Sequence, residues 1–268
     1  MKTQLNIFLT AVMFLTRLPV ARFVRYDADY LSRSTVYFPL VGMIVGGLCS
    51  AVLWLLMQIF PLPRGLPLAV LCSMLASVLI TGAFHEDGLA DAADGFGGGM
   101  APERVLEIMR DSRIGTYGAV ALWFGLTLKF FLLTEISSFG FFYVAGVLMV
   151  AHTAARASSL WLIFRCRYVR SESATSKPFA GGVTMPRLLT GFAFALLVSI
   201  GLLQWQSVPV LIAFFIAVFG CERYFKSRIG GITGDALGAA NQIVELSVYL
   251  ALAAASNLAI QLPLPPLP

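Results

Sequence analysis

An all-α, polytopic membrane bundle is the fold class this sequence predicts, and three observations carry it. The 268 residues are 58% hydrophobic and only 12% charged, with a mean hydropathy of +0.83. Soluble domains carry roughly 25% charge. The apolar residues come in long runs, most of them approaching the ~20 residues a helix needs to cross hydrocarbon. The basic residues fall almost wholly between those runs, on one side of the expected membrane.

The elements follow in order. Residues 5–16 are apolar and lead into Arg17, Pro19, Arg22 and Arg25. Lys2 precedes the run, but no small-x-small cleavage site follows it. An interfacial or re-entrant N-terminal helix with its arginines at the headgroups is therefore expected. About seven transmembrane helices come next, at 36–60, 66–84, 118–133, 139–162, 188–204, 208–221 and 242–262. Pro61, Pro63 and Gly65 mark one hairpin turn, and Ser207 and Pro209 another. The segment 208–221 is short, yet deleting it would destroy the charge asymmetry.

That asymmetry sets the topology. Of the 19 Lys and Arg residues, all but Arg64, Lys129 and Arg156 lie at the N-terminus or in the segments 85–117, 163–187 and 222–241. The positive-inside rule makes that side cytoplasmic and leaves the Pro-rich C-terminal tail outside. The chain is expected to be one integral membrane domain, 1–268, whose three cytoplasmic loops form an active site. The net charge of +5 is explained by these loops, so nucleic acid is not an expected partner. Cys49, Cys72, Cys166 and Cys221 are far apart and lack C-x-x-C spacing, which argues against a disulfide framework or a zinc site. Lys129 is expected to snorkel toward the outer surface. Arg156, about two turns from the cytoplasmic end of its span, could reach a cavity there.

The chemistry concentrates at His85-Glu86-Asp87-Gly88-Leu89-Ala90-Asp91-Ala92-Ala93-Asp94-Gly95. Four of the 14 acidic residues fall in these eleven positions. If the second span continues through them as helix, Asp87, Asp91 and Asp94 lie within ~60° of one another on one face. Three co-facial carboxylates at a helix C-terminus run against the helix dipole and call for a compensating cation. Oxygen ligands alone favour Mg²⁺, Mn²⁺ or Ca²⁺. Gly88 and Gly95 would let a substrate approach the backbone closely. His85 is a candidate base, ligand or ordinary hydrogen-bonded residue, and on an ideal helix it points ~160° away from Asp87.

Glycine-rich turns surround this stretch. Arg110-Asp111-Ser112-Arg113-Ile114-Gly115-Thr116-Tyr117-Gly118 has the charge and turn chemistry to hold phosphate oxygens. Gly181-Gly182-Val183-Thr184 and Gly230-Gly231-Ile232-Thr233 each precede a span, where free helix N–H groups attract anions. Asp235 either caps the last helix or joins a metal site.

Together these stretches resemble the cobalamin-5′-phosphate synthase family, also called adenosylcobinamide-GDP ribazoletransferase. The resemblance rests on Phe84 through Gly95, on Ile108-Met109-Arg110-Asp111-Ser112-Arg113-Ile114-Gly115-Thr116-Tyr117-Gly118, on Gly231-Ile232-Thr233-Gly234-Asp235-Ala236-Leu237-Gly238, and on Phe14-Leu15-Thr16-Arg17-Leu18-Pro19. It implies that a ribose hydroxyl of α-ribazole, or of its 5′-phosphate, attacks the pyrophosphate of adenosylcobinamide-GDP and that GMP leaves. It also implies a multi-pass protein of a prokaryotic inner membrane, with its active site facing the cytoplasm. Mg²⁺ would be held by Glu86, Asp87, Asp91, Asp94 and Asp235. Arg110, Arg113, Lys177 and Arg156 are the candidates for substrate phosphates, and Asp94 or His85 for the proton acceptor. Self-association, or assembly with other cobalamin-pathway proteins, is left open. The acids are also similar to the D-x-x-D-G-x-x-A-R pattern of CDP-alcohol phosphotransferases, but Phe96 and Gly97 stand where that pattern has Ala-Arg. A transporter is a further alternative, although the acids cluster at one surface and no repeat is evident.

Overall fold

Each long apolar run folds as a helix, the arrangement that satisfies its own N–H and C=O groups where no water reaches. The computed structural model describes residues 2–25, 27, 29–169 and 182–261. Among the described residues the α-helices are α1 (Lys2–Leu15), α2 (Tyr30–Ser34), α3 (Phe38–Ile59), α4 (Leu66–Thr81), α5 (Phe84–Gly98), α6 (Pro102–Ile108), α7 (Thr116–Ser137), α8 (Phe141–Arg165), α9 (Met185–Leu203), α10 (Ser207–Ile229) and α11 (Gly234–Gln261). The nearest thing to a strand among them is one isolated parallel bridge, Tyr168 to Ile232.

α8 is the central column, with α3 and α11 against it. Glycine sets the closeness of α3: a Cβ at Gly42 would collide with the His152 carbonyl, and one at Gly46 would come within 2.6 Å of the Leu148 oxygen. Small residues at helix crossings are how membrane helices gain packing contacts without a hydrophobic driving force. α9 and α10 fold back on each other, as the Phe192 and Phe214 rings meet at 5.6 Å. By length and composition, five helical runs among the described residues can cross a membrane, and six if the bent pair α4–α5 counts as one. The hairpin 185–229 is one of those runs.

The second expected span is where sequence and structure part. Residues 66–84 do not run on into 85–95: α4 and α5 are bent by 86°. Gly82 ends α4 at φ +68 and Ala83 begins the next element at φ +58, two successive left-handed residues. Arg17 lies across this corner. Its N–H donates to the Ile80 carbonyl at 2.7 Å, and its side chain fills the space a Cβ on Gly82 would need. The Phe14–Pro19 stretch thus braces the bend, with Phe14 edge-on to Phe84 at 5.6 Å.

The expected loops are largely helical. Segment 85–117 holds most of α5, all of α6 and the start of α7, and α10 carries Arg223, Lys226 and Arg228 on its last turns. Within 163–187, Lys177 and Arg170 lie outside the described residues. Lys129 does not snorkel. It is 4% exposed and ion-paired in the bundle interior.

Candidate functional site

The acids of α5 divide by direction. Asp87 is exposed and Asp91 half-buried, whereas Glu86 and Asp94 are buried. Because α5 starts at the bend, Glu86 and Asp87 sit in its first turn, where the helix dipole favours negative charge. The electrostatic penalty expected of a span's C-terminus is therefore absent for these two.

Asp94 is a helix anchor rather than an open carboxylate. One oxygen accepts the Gly115 N–H at 2.7 Å and the other the Gly118 N–H at 2.8 Å. The first amides of a helix have no intrahelical acceptor, so Asp94 satisfies the N-terminus of α7. A Cβ at either glycine would strike this carboxylate. The turn expected to cradle phosphate is thus filled by the protein's own acid. Gly231 is similar: a Cβ there would meet the Arg167 carbonyl, and the Ile232 N–H donates to that same oxygen at 2.9 Å. Gly182 gives its carbonyl to the Ser32 hydroxyl at 3.0 Å.

Gly88 admits a helix, not a substrate. A Cβ there would lie 3.0 Å from the Asp235 oxygen and 3.0 Å from the Gly238 Cα. At this crossing of α5 and α11 the backbone of Asp235 comes against α5 between Asp87 and Asp91. Asp235 is not the cap of α11. Thr233 is, its hydroxyl accepting the Ala236 N–H at 3.1 Å. Gly95 likewise packs on α6, where a Cβ would come 3.0 Å from the Val105 oxygen. His85 is 4% exposed, packed where α5 crosses α11, and is not a surface base.

The cations around α5 are mostly engaged. Arg113 holds Asp111 in a two-point pair, 3.0 Å from Nε to Oδ1 and 2.6 Å from Nη2 to Oδ2. Those hydrogen bonds keep the Asp111 carboxyl down at about 2. Arg228 was expected only as a loop cation. Its Nη2 donates to the carbonyls of Phe96 at 2.9 Å and Gly99 at 2.7 Å, closing the C-terminal end of α5. Arg110 is exposed beside α6. A cleft of about 550 Å³ runs along the other flank of α5, lined by Leu89, Ala93, Phe96, Ala217, Tyr224 and Phe225 among others.

Sequence reasoning missed a polar network inside the bundle. Gln242 Nε2 donates to Glu86 Oε1 at 3.1 Å, and Lys129 Nζ donates to Gln242 Oε1 at 2.9 Å. Lys129 also pairs with Glu245 at 3.0 Å, and Tyr249 donates to the same Glu245 oxygen at 3.0 Å. Arg156 Nη1 donates to His152 Nδ1 at 2.8 Å, which makes that ring nitrogen an acceptor. Arg156 is thus buried among protein groups, 2% exposed, rather than held out toward a substrate. The readable signal was Glu245 itself, an acid inside an apolar span.

The five-ligand set expected for a metal is not gathered at one point. Among the described residues, no three His, Cys, Asp or Glu side chains converge on a cation position. At the Gly88 crossing the backbone of Asp235 on α11 comes against α5, with Asp87 and Asp91 on the flanking turns. Their carboxylates are hard oxygen donors, and Mg²⁺ commonly takes only one or two carboxylates and completes its shell with substrate phosphates and water. The donor set fits such a shared site.

Fold and site define a multi-pass helical membrane protein with an acidic helix at its polar edge. The chain belongs to the cobalamin-5-phosphate synthase family, whose model matches residues 7–253. It is similar to the adenosylcobinamide-GDP ribazoletransferases of Shewanella amazonensis (strain ATCC BAA-1098 / SB2B), 43% identical over 257 residues, and Shewanella frigidimarina (strain NCIMB 400), 41% over 252 residues. Each alignment covers 94% of this chain, with 96% and 95% of the relative. The protein of that name in Shewanella woodyi (strain ATCC 51908 / MS32) is 42% identical over 261 residues. No solved structure matches.

Proposed function

We propose that this chain is an adenosylcobinamide-GDP ribazoletransferase, joining adenosylcobinamide-GDP to α-ribazole or its 5′-phosphate and releasing GMP. Family membership supports the reaction. The single structural observation that supports its location is the Gly88 crossing, which brings the Asp235 backbone against α5 near the exposed Asp87 and the half-buried Asp91. In the reaction the ribose hydroxyl forms a new P–O bond to the cobinamide-bearing phosphorus. The pyrophosphate P–O bond breaks and GMP carries away that electron pair. The hydroxyl proton needs an acceptor at the surface. With Asp94 committed to two amides and His85 buried, Asp87 and Asp91 are the α5 groups placed to take it.

Asp87, Asp91 and Asp235 would also hold Mg²⁺. When bound, the ion neutralises charge on the pyrophosphate and the leaving GMP. Arg110 stands on the same edge to meet phosphate oxygens, and Arg113 could do so by exchanging Asp111 for phosphate. Lys177 lies outside the described residues and stays a candidate from the sequence. The apolar cleft beside α5 suits the uncharged bulk of a substrate held at a membrane surface. The active edge faces the cytoplasm of a prokaryotic inner membrane in this reading, supported by the Lys and Arg distribution. Self-association and assembly with other cobalamin-pathway proteins remain open to measurement.

The test is GMP release from adenosylcobinamide-GDP with α-ribazole 5′-phosphate, in proteoliposomes with and without Mg²⁺. Asp91→Asn is expected to abolish release while the protein still inserts and folds. Near-normal turnover in that variant would sink the assignment.

A further inference from the structure

The four acids of α5 divide into two that face the reaction and two that hold the helix. We infer that Glu86 is a positioning residue, fixed by a buried relay from Lys129 through Gln242, and not a ligand of any substrate-bound cation. This rests on the proposed role of Asp87 and Asp91.

The bend makes such a device necessary. After 86°, continuity with α4 no longer dictates where α5 points. Side-chain anchors replace it, in addition to the Arg228 bonds to its last carbonyls. Near its C-terminal end, Asp94 is tied to the amides of Gly115 and Gly118. At its N-terminal end, Glu86 is tied to Gln242 of α11, and Gln242 to Lys129 of α7. Eight residues, about 12 Å of helix, separate the anchors. Asp87 and Asp91 lie between them on the outward side.

Glu86 has the properties of an anchor. It is 7% exposed, and its bonded oxygen meets an amide donor. The charges around it close: Glu86 and Glu245 balance Lys129 and Arg156, so no added cation is required for neutrality. The atoms left over point to hydration instead. Glu86 Oε2, Glu245 Oε2, Arg156 Nε and both side-chain polar atoms of Asn241 are buried with no hydrogen-bond partner among the described residues. They comprise acceptors and donors together, the mixture internal water satisfies. Lys129 and Gln242 touch no reacting atom in this account. They act on the chemistry only by setting the depth and rotation of α5.

The test is an exchange across the relay. Gln242→Glu alone sets two carboxylates face to face and is expected to lower kcat/KM at least tenfold, mainly through KM for the pyrophosphate substrate. Adding Glu86→Gln restores a donor opposite an acceptor and keeps the total charge. The double variant is expected to recover turnover to within threefold of wild type, with wild-type Mg²⁺ dependence. A double variant as inactive as Asp91→Asn would overturn the inference and make Glu86 a ligand. So would a fully active Gln242→Glu protein. If Gln242→Glu does not accumulate in the membrane, the double variant against wild type decides alone. Failure of the underlying reading is separable, because Asp91→Asn would then stay active whatever the relay variants do.

Discussion

Gly88→Ala tests whether the acids of α5 and α11 act across one helix crossing. A Cβ at residue 88 would lie 3.0 Å from the Asp235 oxygen, 3.0 Å from the Gly238 Cα and 3.2 Å from the Asp235 Cα. All three are backbone atoms, so no side chain can rotate out of the way. Non-bonded carbons settle at about 3.5–4.0 Å, so the helices must part by roughly half an ångström. Overpacking of this kind costs about 1–3 kcal/mol. Replacing glycine inside a helix by alanine returns about 1 kcal/mol. The difference leaves a protein that still folds. Activity is the more sensitive quantity, because a misplacement of about 1 Å can cost about 100-fold. Half of that displacement corresponds to about tenfold in kcat/KM. Gly125→Ala is the control. Its nearest neighbours would be Leu89 Cδ2 at 3.5 Å and Leu246 Cδ1 at 3.9 Å, which is ordinary contact. The assay is GMP release in proteoliposomes, with thermal stability in detergent measured in parallel. Wild-type turnover in Gly88→Ala would refute the idea that Asp235 works with Asp87 and Asp91.

Three other outcomes follow from the same geometry. Asp94→Asn puts an amide donor against one of two N–H groups and should cost about 1.5–3 kcal/mol, the range for hydrogen bonds to charged groups. Amide exchange would speed up at Gly115 and Gly118, and unchanged exchange there would contradict the anchor. Lys129→Met leaves Glu245 buried without its cation and should destabilise by about 3–5 kcal/mol, with Glu245→Gln recovering part of the loss in thermal melts. Asp111→Asn frees Arg113 and should lower KM for the pyrophosphate substrate by up to about fivefold, the limit for an exposed pair. The Asp111 pKa is depressed to about 2 from 3.8. The pair is therefore complete above the unfolded value and is lost only as pH falls through about 2. The pH profile of KM between about 5 and 9 should keep its shape in Asp111→Asn. A new inflection there would count against this account of the pair.

The membrane class and the polar edge were legible because both are written in composition and local charge. Apolar runs dictate helices without reference to their neighbours. The 86° bend was not legible, since Gly82 and Ala83 sit inside an unbroken apolar-to-acidic stretch. What fixes the bend is Arg17, more than sixty residues earlier in the chain. The glycines misled for a related reason. Gly88, Gly115, Gly118 and Gly231 do mark close approach, as glycine should. A sequence does not say what approaches: here it is α11, Asp94, and the segment after α8. The expectation of phosphate cradles at these turns gave the space to a ligand that the protein itself fills.

The same limit explains how the acids were read. Spacing places Asp87, Asp91 and Asp94 on one face, yet on α5 Asp87 is exposed, Asp91 half-buried and Asp94 buried. Spacing says nothing about what stands opposite each one. Asp94 meets two amide groups of α7, and Glu86 meets an amide whose own oxygen holds a lysine. Lys129, Arg156 and Glu245 were visible as charges inside spans, and such charges need partners because hydrocarbon supplies none. Two intramembrane cations require two anions, and Glu245 and Glu86 are the acids that supply them. Pairing by sign thus gives a rule independent of spacing. An acid needed to neutralise a buried cation is already spent, and only the acids left over are available to bind a substrate's metal. Asp87, Asp91 and Asp235 are not among the four charges that balance inside the bundle, and under the proposed function they are the acids that meet the substrate.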